Sequence, residues 1–437
     1  MMGDRLNSKF NFSIVCANEY KINDMKCILI VLIDIFLPTG VSDYHAEKKQ
    51  LLIKQKNCER RQGIFTKTLP IKIRAKGTRV ADTQEVLKRA ISFAHDYGFQ
   101  VPIILAPMPG ATPVPLSIAV TSGGGMGACG VLLMTPEQIK NWARDMRAGS
   151  NGTFQLNTWI PDPDPIRDQQ HETEVRQFLG NWGPAVSETD GDVPLIDFPS
   201  QCEAMLEAGP AVISSIMGLY PPEFVARFKA KGIKWFAKAT TVAEALQAEQ
   251  AGADVIVAQG MEAGGHKGAF NAADADRNMV GLFSLLPAVS NAVKVPVVAS
   301  GGIGDPRGVA AALILGASAV EIGTGFLRSP EAKIPNAWAD AIGEAEPEDT
   351  LVSRAFSGRL GRSIQTRYAM AATAQDTPKP APYPIQRNLT KVMRDEAVKK
   401  DNIDGMQAWA GQSAKLASPI SAEQIVINLW NGAQKLL

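Results

Sequence analysis

The chain has 437 residues, which is long enough for one large domain with appendages or for two domains. Hydrophobic residues make up 45% and charged residues 20% of the composition, as expected for a globular protein with a large core. The formal net charge of +1 excludes a bulk electrostatic attraction to nucleic acid or to an anionic membrane. Five scattered cysteines argue against a disulfide scaffold and indicate a reducing, cytoplasmic location.

Residues 1–100 differ from the rest and predict an N-terminal extension of uncertain order, because they are rich in lysine and arginine and poor in glycine. Their one strongly apolar run, residues 27–37, is too short to span a membrane and contains Asp34. The run starts late and has a poor cleavage site, which disfavours a signal peptide, whereas organelle targeting stays open. Residues 83–97 have helical spacing of apolar side chains, so we expect a helix that plugs or flanks the start of the main domain.

An alternation of strands and helices begins at residue 101 and continues to about residue 330. Thr135 before Pro136, the pair Thr241 and Glu244, and Asp305 before a proline indicate helix starts. Eight short apolar runs predict strands at residues 102–107, 127–131, 153–157, 211–214, 234–237, 254–258, 296–299 and 317–322. Eight repeats over roughly 225 residues predict an α/β fold, a (β/α)8 TIM barrel at residues 101–345. An open doubly wound sheet would have fewer strands and a reversal of strand order.

The most informative stretch is DVIVAQGMEAGGHKG, residues 254–268. A buried strand opens there into a glycine-rich loop that carries His266, and α/β enzymes commonly present catalytic groups on such loops. A single loop histidine is often only a surface or packing residue, so the interpretation of His266 depends on its context. No histidine or cysteine stands at metal-ligand spacing from it, and we expect no metal site.

Two further glycine clusters follow the last two predicted strands. Ser300-Gly301-Gly302 follows the seventh strand, and Gly323-Thr324 follows the eighth. These two loops of a barrel often hold a phosphate through exposed backbone N–H groups, and Thr324 can add a hydroxyl. The two clusters therefore predict a phosphorylated ligand, which is either a phosphorylated substrate or flavin mononucleotide (FMN).

With these motifs, the chain resembles the nitronate monooxygenase family, formerly called 2-nitropropane dioxygenases. The resemblance extends from residue 101 to the C-terminus, and its longest and most specific motif is QGMEAGGHKG. Family members often have glutamine at the position of Glu321, a difference that we expect to be minor because this side chain need not contact the ligand. The matching segments are Ala106-Pro107-Met108, residues 259–268, Ser300-Gly301-Gly302-Ile303 and Glu321-Ile322-Gly323-Thr324.

The resemblance implies a barrel that binds FMN non-covalently. It implies that His266 is the catalytic base or the group that orients the substrate, and that Lys238 meets the edge of the isoalloxazine ring. The phosphate is expected at Gly301, Gly302, Gly323 and Thr324. The other cofactor contacts expected are Met108, Asn157, Gln259, Gly264, Gly265 and Ser300.

The implied reaction oxidises an alkyl nitronate, such as propionate 3-nitronate, with O2 to a carbonyl product and nitrite or nitrate. Histidine has a suitable pKa to hold the acidic proton of a nitroalkane, and a flavin passes electrons to O2. Two alternatives stay open: an NAD(P)H-dependent flavin reductase of the same superfamily, acting on quinones or enoyl thioesters, and a flavin-binding barrel without turnover. We expect a small-molecule substrate, no nucleic acid or membrane as partner, and a monomer or homodimer.

Two segments lie outside the regular repeat. Residues 160–197, after the third strand, are long and polar and predict a lid-like insertion with a helix at residues 167–179. Residues 346–437 predict a C-terminal helical and loop segment that packs on the barrel. Within it, residues 357–362 either reach back to the ligand or only turn. Residues 405–413 fit a segment folded over the barrel mouth, where Trp409 either touches the ligand or packs against the wall.

Overall fold

The computed structural model describes residues 82–150 and 152–437, so the predictions for residues 1–81, including the apolar run at 27–37, lie outside the described residues. Eight parallel strands form the central sheet. They are β1 (Ile103–Leu105), β2 (Gly127–Gly130), β3 (Phe154–Trp159), β4 (Val212–Ile216), β5 (Lys234–Ala239), β6 (Val255–Gln259), β8 (Val297–Ser300) and β9 (Ala319–Ile322).

The sheet closes into a barrel. Its strand order is β1-β9-β8-β6-β5-β4-β3-β2, and a parallel bridge between Ile104 and Met126 joins the first strand to the start of the second. Every strand residue except Lys234 is buried. One face of each strand fills the barrel and the other packs on helices, which explains the continuous apolar runs. The predicted (β/α)8 barrel is confirmed.

Helices cover the outside of the ring, and the three predicted helix starts are confirmed. Thr135 and Thr241 each form a capping box, and Asp305 accepts the first two free N–H groups of its helix. The helices between the strands are Val114–Ser122, Pro136–Gly149, Phe198–Ala208, Pro222–Ala230, Val242–Gln250, Leu282–Ala292 and Pro306–Ile314. The last helix of the chain, Ala422–Gln434, packs against Pro306–Ile314 and Val114–Ser122 and takes the eighth place in the outer ring.

The helix Thr83–Asp96 closes the amino-terminal end of the barrel. Phe93 is only 4% exposed, and its ring lies 6.2 Å from that of Phe236 on β5. It belongs to an apolar cluster with Val212 and Val255, the first residues of β4 and β6. This cluster fills the barrel from below, opposite the strand ends where the candidate site lies.

The insertion after β3 is attached to the C-terminal part of the chain. It contains the helix Gln169–Leu179 and a short 3-10 turn at Asp190–Asp192. The His171 ring of the insertion donates from Nε2 to the Lys379 carbonyl at 2.7 Å, and Asn388 donates from Nδ2 to the Val193 carbonyl of the insertion at 2.8 Å. These bonds hold the insertion beside the carboxyl ends of the strands.

A second, three-stranded antiparallel sheet was not predicted. Its strands are β7 (Gly265–His266), β10 (Thr350–Ser353) and β11 (Gly361–Ile364), in the order β10-β11-β7. His266 pairs with Gly361, so this sheet joins the histidine loop to the segment after the barrel. The remaining helices are Asn336–Glu344, Arg367–Ala371, Ile385–Leu389 and Lys391–Lys399. In the part of the chain that the structure describes, no helix has the length and apolar character needed to cross a bilayer.

Candidate functional site

The carboxyl ends of the barrel strands enclose a pocket, and every residue predicted for the site lines it. Gly301 follows β8, Gly323 follows β9, and His266 lies in the loop after β6. The structure brings these residues together, while the role of each stays a prediction. The other predicted residues on the pocket wall are Met108, Asn157, Lys238, Gln259, Gly264, Gly265, Ser300, Gly302 and Thr324.

The loop that carries His266 is held by hydrogen bonds from its own side chains. Gln259, at the end of β6, donates from Nε2 to the His266 carbonyl at 3.2 Å and accepts the Gly268 N–H at 2.7 Å. Nζ of the buried Lys267 donates to two carbonyl oxygens of the same loop at 3.0 and 2.5 Å. The backbone on both sides of His266 is therefore fixed before any ligand arrives.

The imidazole of His266 lies between two tryptophans and one serine. The ring centroids of Trp159 and Trp409 lie 4.5 and 4.7 Å from the His266 centroid, both in edge-on geometry. Nε2 of His266 lies 2.7 Å from Oγ of Ser357, which also accepts the Arg359 N–H at 3.3 Å. Because Ser357 occupies Nε2, the nitrogen left for a ligand is Nδ1.

The surroundings of His266 keep its ring neutral. Loss of hydration inside the pocket is the main cause that lowers the pKa of His266 from 6.5 to about 3. Positive charges act in the same direction and come from Arg359, Arg387, Lys267 and Arg394. At neutral pH the imidazole is therefore uncharged, and Nδ1 or Nε2 carries a lone pair.

The glycine clusters form a cradle of unused donors. The N–H groups of Gly301, Gly302 and Gly323 donate to no acceptor among the described residues. The backbone of Gly301 has a φ of +104°, and a Cβ there would lie 2.9 Å from the Ala263 nitrogen. Only glycine fits this close approach. Free N–H groups without side chains in front of them fit a phosphate, as the phosphate group of FMN requires.

The residues after the barrel close this cradle from above. The Gly411 N–H donates to Oγ1 of Thr324 at 3.0 Å, and Ser413 donates from Oγ to the Gly302 carbonyl at 2.6 Å. Trp338 donates from Nε1 to the Trp409 carbonyl at 3.2 Å. The segment around Trp409 therefore lies over the barrel mouth, and its tryptophan both lines the pocket and contacts His266.

Two charged groups of opposite sign lie deeper in the pocket wall. Nζ of Lys238 lies 2.5 Å from Oε1 of Glu321, and both side chains are almost completely buried. The difference from the family at Glu321 was expected to be minor because this side chain need not contact the ligand, and the structure places Glu321 on the pocket wall. The ion pair places a negative charge directly beside the one cation that was expected to meet the flavin edge.

Two arginines make the outer part of the pocket cationic. Arg394 is engaged by the protein, because it donates to the side chains of Gln407 and Thr390 at 3.1 Å each and to the Arg387 carbonyl at 2.8 Å. The guanidinium of Arg387 also lines the pocket, and it has no hydrogen-bond or ion-pair partner within residues 82–150 and 152–437. An unpartnered guanidinium beside a neutral imidazole suits an anionic ligand.

The comparison with protein families agrees with this geometry. The family model described as nitronate monooxygenase matches residues 93–432. The chain belongs to the nitronate monooxygenase family. This membership confirms the resemblance inferred from the motifs and the prediction that the protein is an oxidoreductase. The matched range includes the barrel, the insertion and most of the C-terminal segment.

Individual members of the family and solved structures cover the same range. The nitronate monooxygenase of Paraburkholderia phytofirmans is 36% identical over 338 residues, which are 76% of this chain and 92% of that protein. The nitroalkane oxidase of Streptomyces ansochromogenes has a TM-score of 0.71 at 31% identity and covers 78% of this chain and 98% of its own. FabK of Thermotoga maritima has a TM-score of 0.63 at 26% identity, covering 79% and 96%.

Several residues that line the pocket or contact His266 were not identified from the sequence. Ser357 lies in the segment 357–362, for which the sequence left open whether it reaches back to the ligand. In the structure its hydroxyl is within hydrogen-bond distance of Nε2 of His266. Trp159 follows Asn157 by two residues at the end of β3, a position that could have suggested it. Arg387 and Arg394 gave no signal, because isolated arginines in a polar C-terminal segment resemble ordinary surface residues.

Proposed function

We propose that the protein binds FMN non-covalently and oxidises nitronates with O2 to a carbonyl product and nitrite or nitrate. The observation that carries the proposal is the pocket itself, where the glycine cradle and His266 face one space. The cradle offers free N–H donors to a phosphate. The pocket wall also includes residues at or just after the carboxyl end of each of the eight barrel strands. Membership of the nitronate monooxygenase family supports the same proposal.

In this proposal the cofactor lies between the cradle and His266. Gly301, Gly302, Gly323 and Thr324 hold the phosphate, and Ser300 supports the loop. When bound, the flavin supplies electron transfer from the substrate to O2. The residues proposed to line the ring system are Met108, Asn157, Lys238, Gln259, Gly264 and Gly265, all of which face the pocket.

The charges in the pocket favour a nitronate over a neutral nitroalkane. A nitronate is an anion, and Arg387 provides a positive charge on the pocket wall for which the described residues supply no ion-pair partner. His266, with a pKa of about 3, is a weak base toward a neutral nitroalkane. A substrate that has already lost its proton avoids that difficult transfer. We therefore propose that His266 mainly orients the nitronate through Nδ1, with Ser357 positioning the ring.

An anionic ligand would also change His266. A negative charge next to the ring offsets the repulsion from the surrounding arginines and raises the pKa of the imidazole. With a nitroalkane, His266 can act as a base only to the extent that negative charge develops on the bound nitro group beside the ring. His266 is expected to contribute more to the turnover of nitroalkanes than to that of nitronates.

A flavin reductase that uses NAD(P)H remains the second candidate. Its support is the structural similarity to FabK at 26% identity and the same barrel. Fast anaerobic bleaching of the flavin by NADH or NADPH would favour this reductase. A yellow protein that turns over neither nitronates nor reduced nicotinamides would instead be a flavin-binding barrel without activity.

The test of the proposed function is a visible spectrum followed by oxygen uptake. We expect the purified protein to show a flavin spectrum and to consume O2 with propionate 3-nitronate and with alkyl nitronates. His266→Asn should retain the flavin spectrum and lose most of its turnover on nitroalkanes, with a smaller loss on nitronates. Equal rates for wild type and variant on both substrates would remove His266 from the mechanism.

A further inference from the structure

A buried ion pair crosses the interior of the barrel at the wall of the pocket. Lys238 is on β5 and Glu321 is on β9, and two strands stand between them in the sheet. Their side chains are 9% and 2% exposed. Ser300 donates from Oγ to Oε1 of Glu321 at 3.1 Å, and Gln155 donates from Nε2 to Oε2 at 3.4 Å. Four strands thus contribute to one carboxylate-centred network.

This network is incomplete at Lys238, which lines the pocket. One N–H bond of the Lys238 ammonium is directed at Glu321, and the described residues offer no acceptor for its other two. Buried polar groups are costly when they lack hydrogen bonds. The open positions of the ammonium favour a polar ligand edge that completes them.

We propose that Glu321 tunes the cofactor by holding the ammonium of Lys238 and cancelling its charge. The edge of the flavin ring then meets a neutral ion pair and not a free cation. This inference rests on the proposed function, because it needs the flavin in the pocket. Glu321 acts through Lys238 and is therefore a positioning residue.

The physical reason lies in the charge that a flavin ring gains on reduction. A free cation at the ring edge would stabilise the added negative charge and raise the midpoint potential of the cofactor. A carboxylate 2.5 Å from that cation opposes the effect, because adjacent opposite charges leave only a weak field at a neighbouring group. The intact pair therefore keeps the potential lower than Lys238 alone would.

The experiment is a spectroscopic redox titration of the purified flavoprotein against a reference dye. Glu321→Gln leaves Lys238 uncompensated, and we expect a more positive midpoint potential than in wild type. Lys238→Gln leaves the carboxylate, and we expect a more negative potential. The double variant Lys238→Gln/Glu321→Gln has the net charge of wild type, so its potential should return close to the wild-type value.

Gln155→Leu is the matched control for structural disturbance. It removes a neutral hydrogen bond to the other oxygen of the same carboxylate without changing any charge, so its potential should stay close to wild type. Removing one member of a buried pair can destabilise the fold. If either single variant does not fold, the other single variant and the double variant still test the sign of the effect.

Three results would overturn the inference. The first is an unchanged potential in Glu321→Gln together with lower stability, which would make the pair purely structural. The second is a shift in the same direction for Glu321→Gln and Lys238→Gln. The third is a shift in Gln155→Leu as large as that in Glu321→Gln. A wild-type protein that binds no flavin would instead refute the proposed function, so the two failures can be told apart.

Discussion

The neutral state of the partly buried His266 predicts a specific loss of stability in acid. The pKa of His266 is lowered to about 3 in the folded protein, whereas an unfolded chain leaves the imidazole at its ordinary value of 6.5. Between these values the unfolded chain binds a proton that the folded protein does not. Acidification therefore stabilises the unfolded chain, and folding stability falls as the pH decreases below 6.5.

The size of this loss follows from the pH interval. A solution at pH 5.0 is 1.5 units below the pKa of 6.5 of the unfolded imidazole. Protonation then stabilises the unfolded chain by about 2 kcal/mol, at 1.36 kcal/mol per unit. At pH 7.5 the contribution is close to nothing. His266→Asn has no group that titrates in this range. Wild type should therefore lose about 2 kcal/mol more stability than the variant between pH 7.5 and 5.0.

Equilibrium unfolding in urea at pH 7.5, 6.5 and 5.0 measures this difference. Constant effects of the substitution, such as the lost contact with Ser357, cancel because only the change with pH is compared. His95→Asn is the matched control, since His95 lies exposed on the helix Thr83–Asp96 and its removal should leave the pH dependence of wild type. Parallel curves for wild type and His266→Asn would refute the argument that the ring is kept neutral by its surroundings.

Four further substitutions test the geometry of the site and of the barrel. Gly264→Ala would place a Cβ 2.6 Å from two backbone atoms of the C-terminal segment, so flavin affinity in a fluorescence titration should fall by roughly tenfold or more, about 1.4 kcal/mol. The Cβ of Gly265→Ala would have no atom within 4 Å, so this variant should lose only about 1 kcal/mol of stability from the strain of its φ of +69°. Equal flavin affinities for Gly264→Ala and Gly265→Ala would contradict the steric argument. Arg387→Met should raise the KM for nitronates by about tenfold with little change in kcat, as expected for roughly 1.4 kcal/mol of lost charge attraction; an unchanged KM in oxygen-uptake assays would exclude Arg387 from substrate binding. Phe93→Ala should lower the free energy of unfolding in urea by about 3 to 5 kcal/mol while leaving flavin binding intact, because Phe93 fills the opposite end of the barrel.

Local patterns accounted for the architecture of the barrel. Each strand is an apolar run because it is buried on both faces, and the helix starts at Thr135, Thr241 and Asp305 follow from caps that use only neighbouring residues. The glycine clusters after β8 and β9 were located in the same way. Since parallel strands end at one edge of a barrel, residues at those ends could be assigned to a common face from the sequence alone.

Contacts between distant segments could not be obtained from such patterns. The pairing of β7 with β11 joins His266 to Gly361, and neither segment has the alternation that would announce a strand. The hydroxyl of Ser357 reaches His266 only because this pairing exists. Arg387 faces the pocket because a C-terminal segment returns over the barrel mouth, which depends on packing and not on local preference.

The amino-acid sequence by itself determined the closed barrel, the end at which the candidate site lies, and the glycine clusters gathered there, because burial, capping and glycine geometry act over a few neighbouring positions. The tertiary structure alone decided the chemical state of that site. It brought Glu321 to Lys238 across the barrel and placed His266 near arginines from the C-terminal segment. Charge and hydration depend on distances in space, and those distances are set only when segments far apart in the chain pack together.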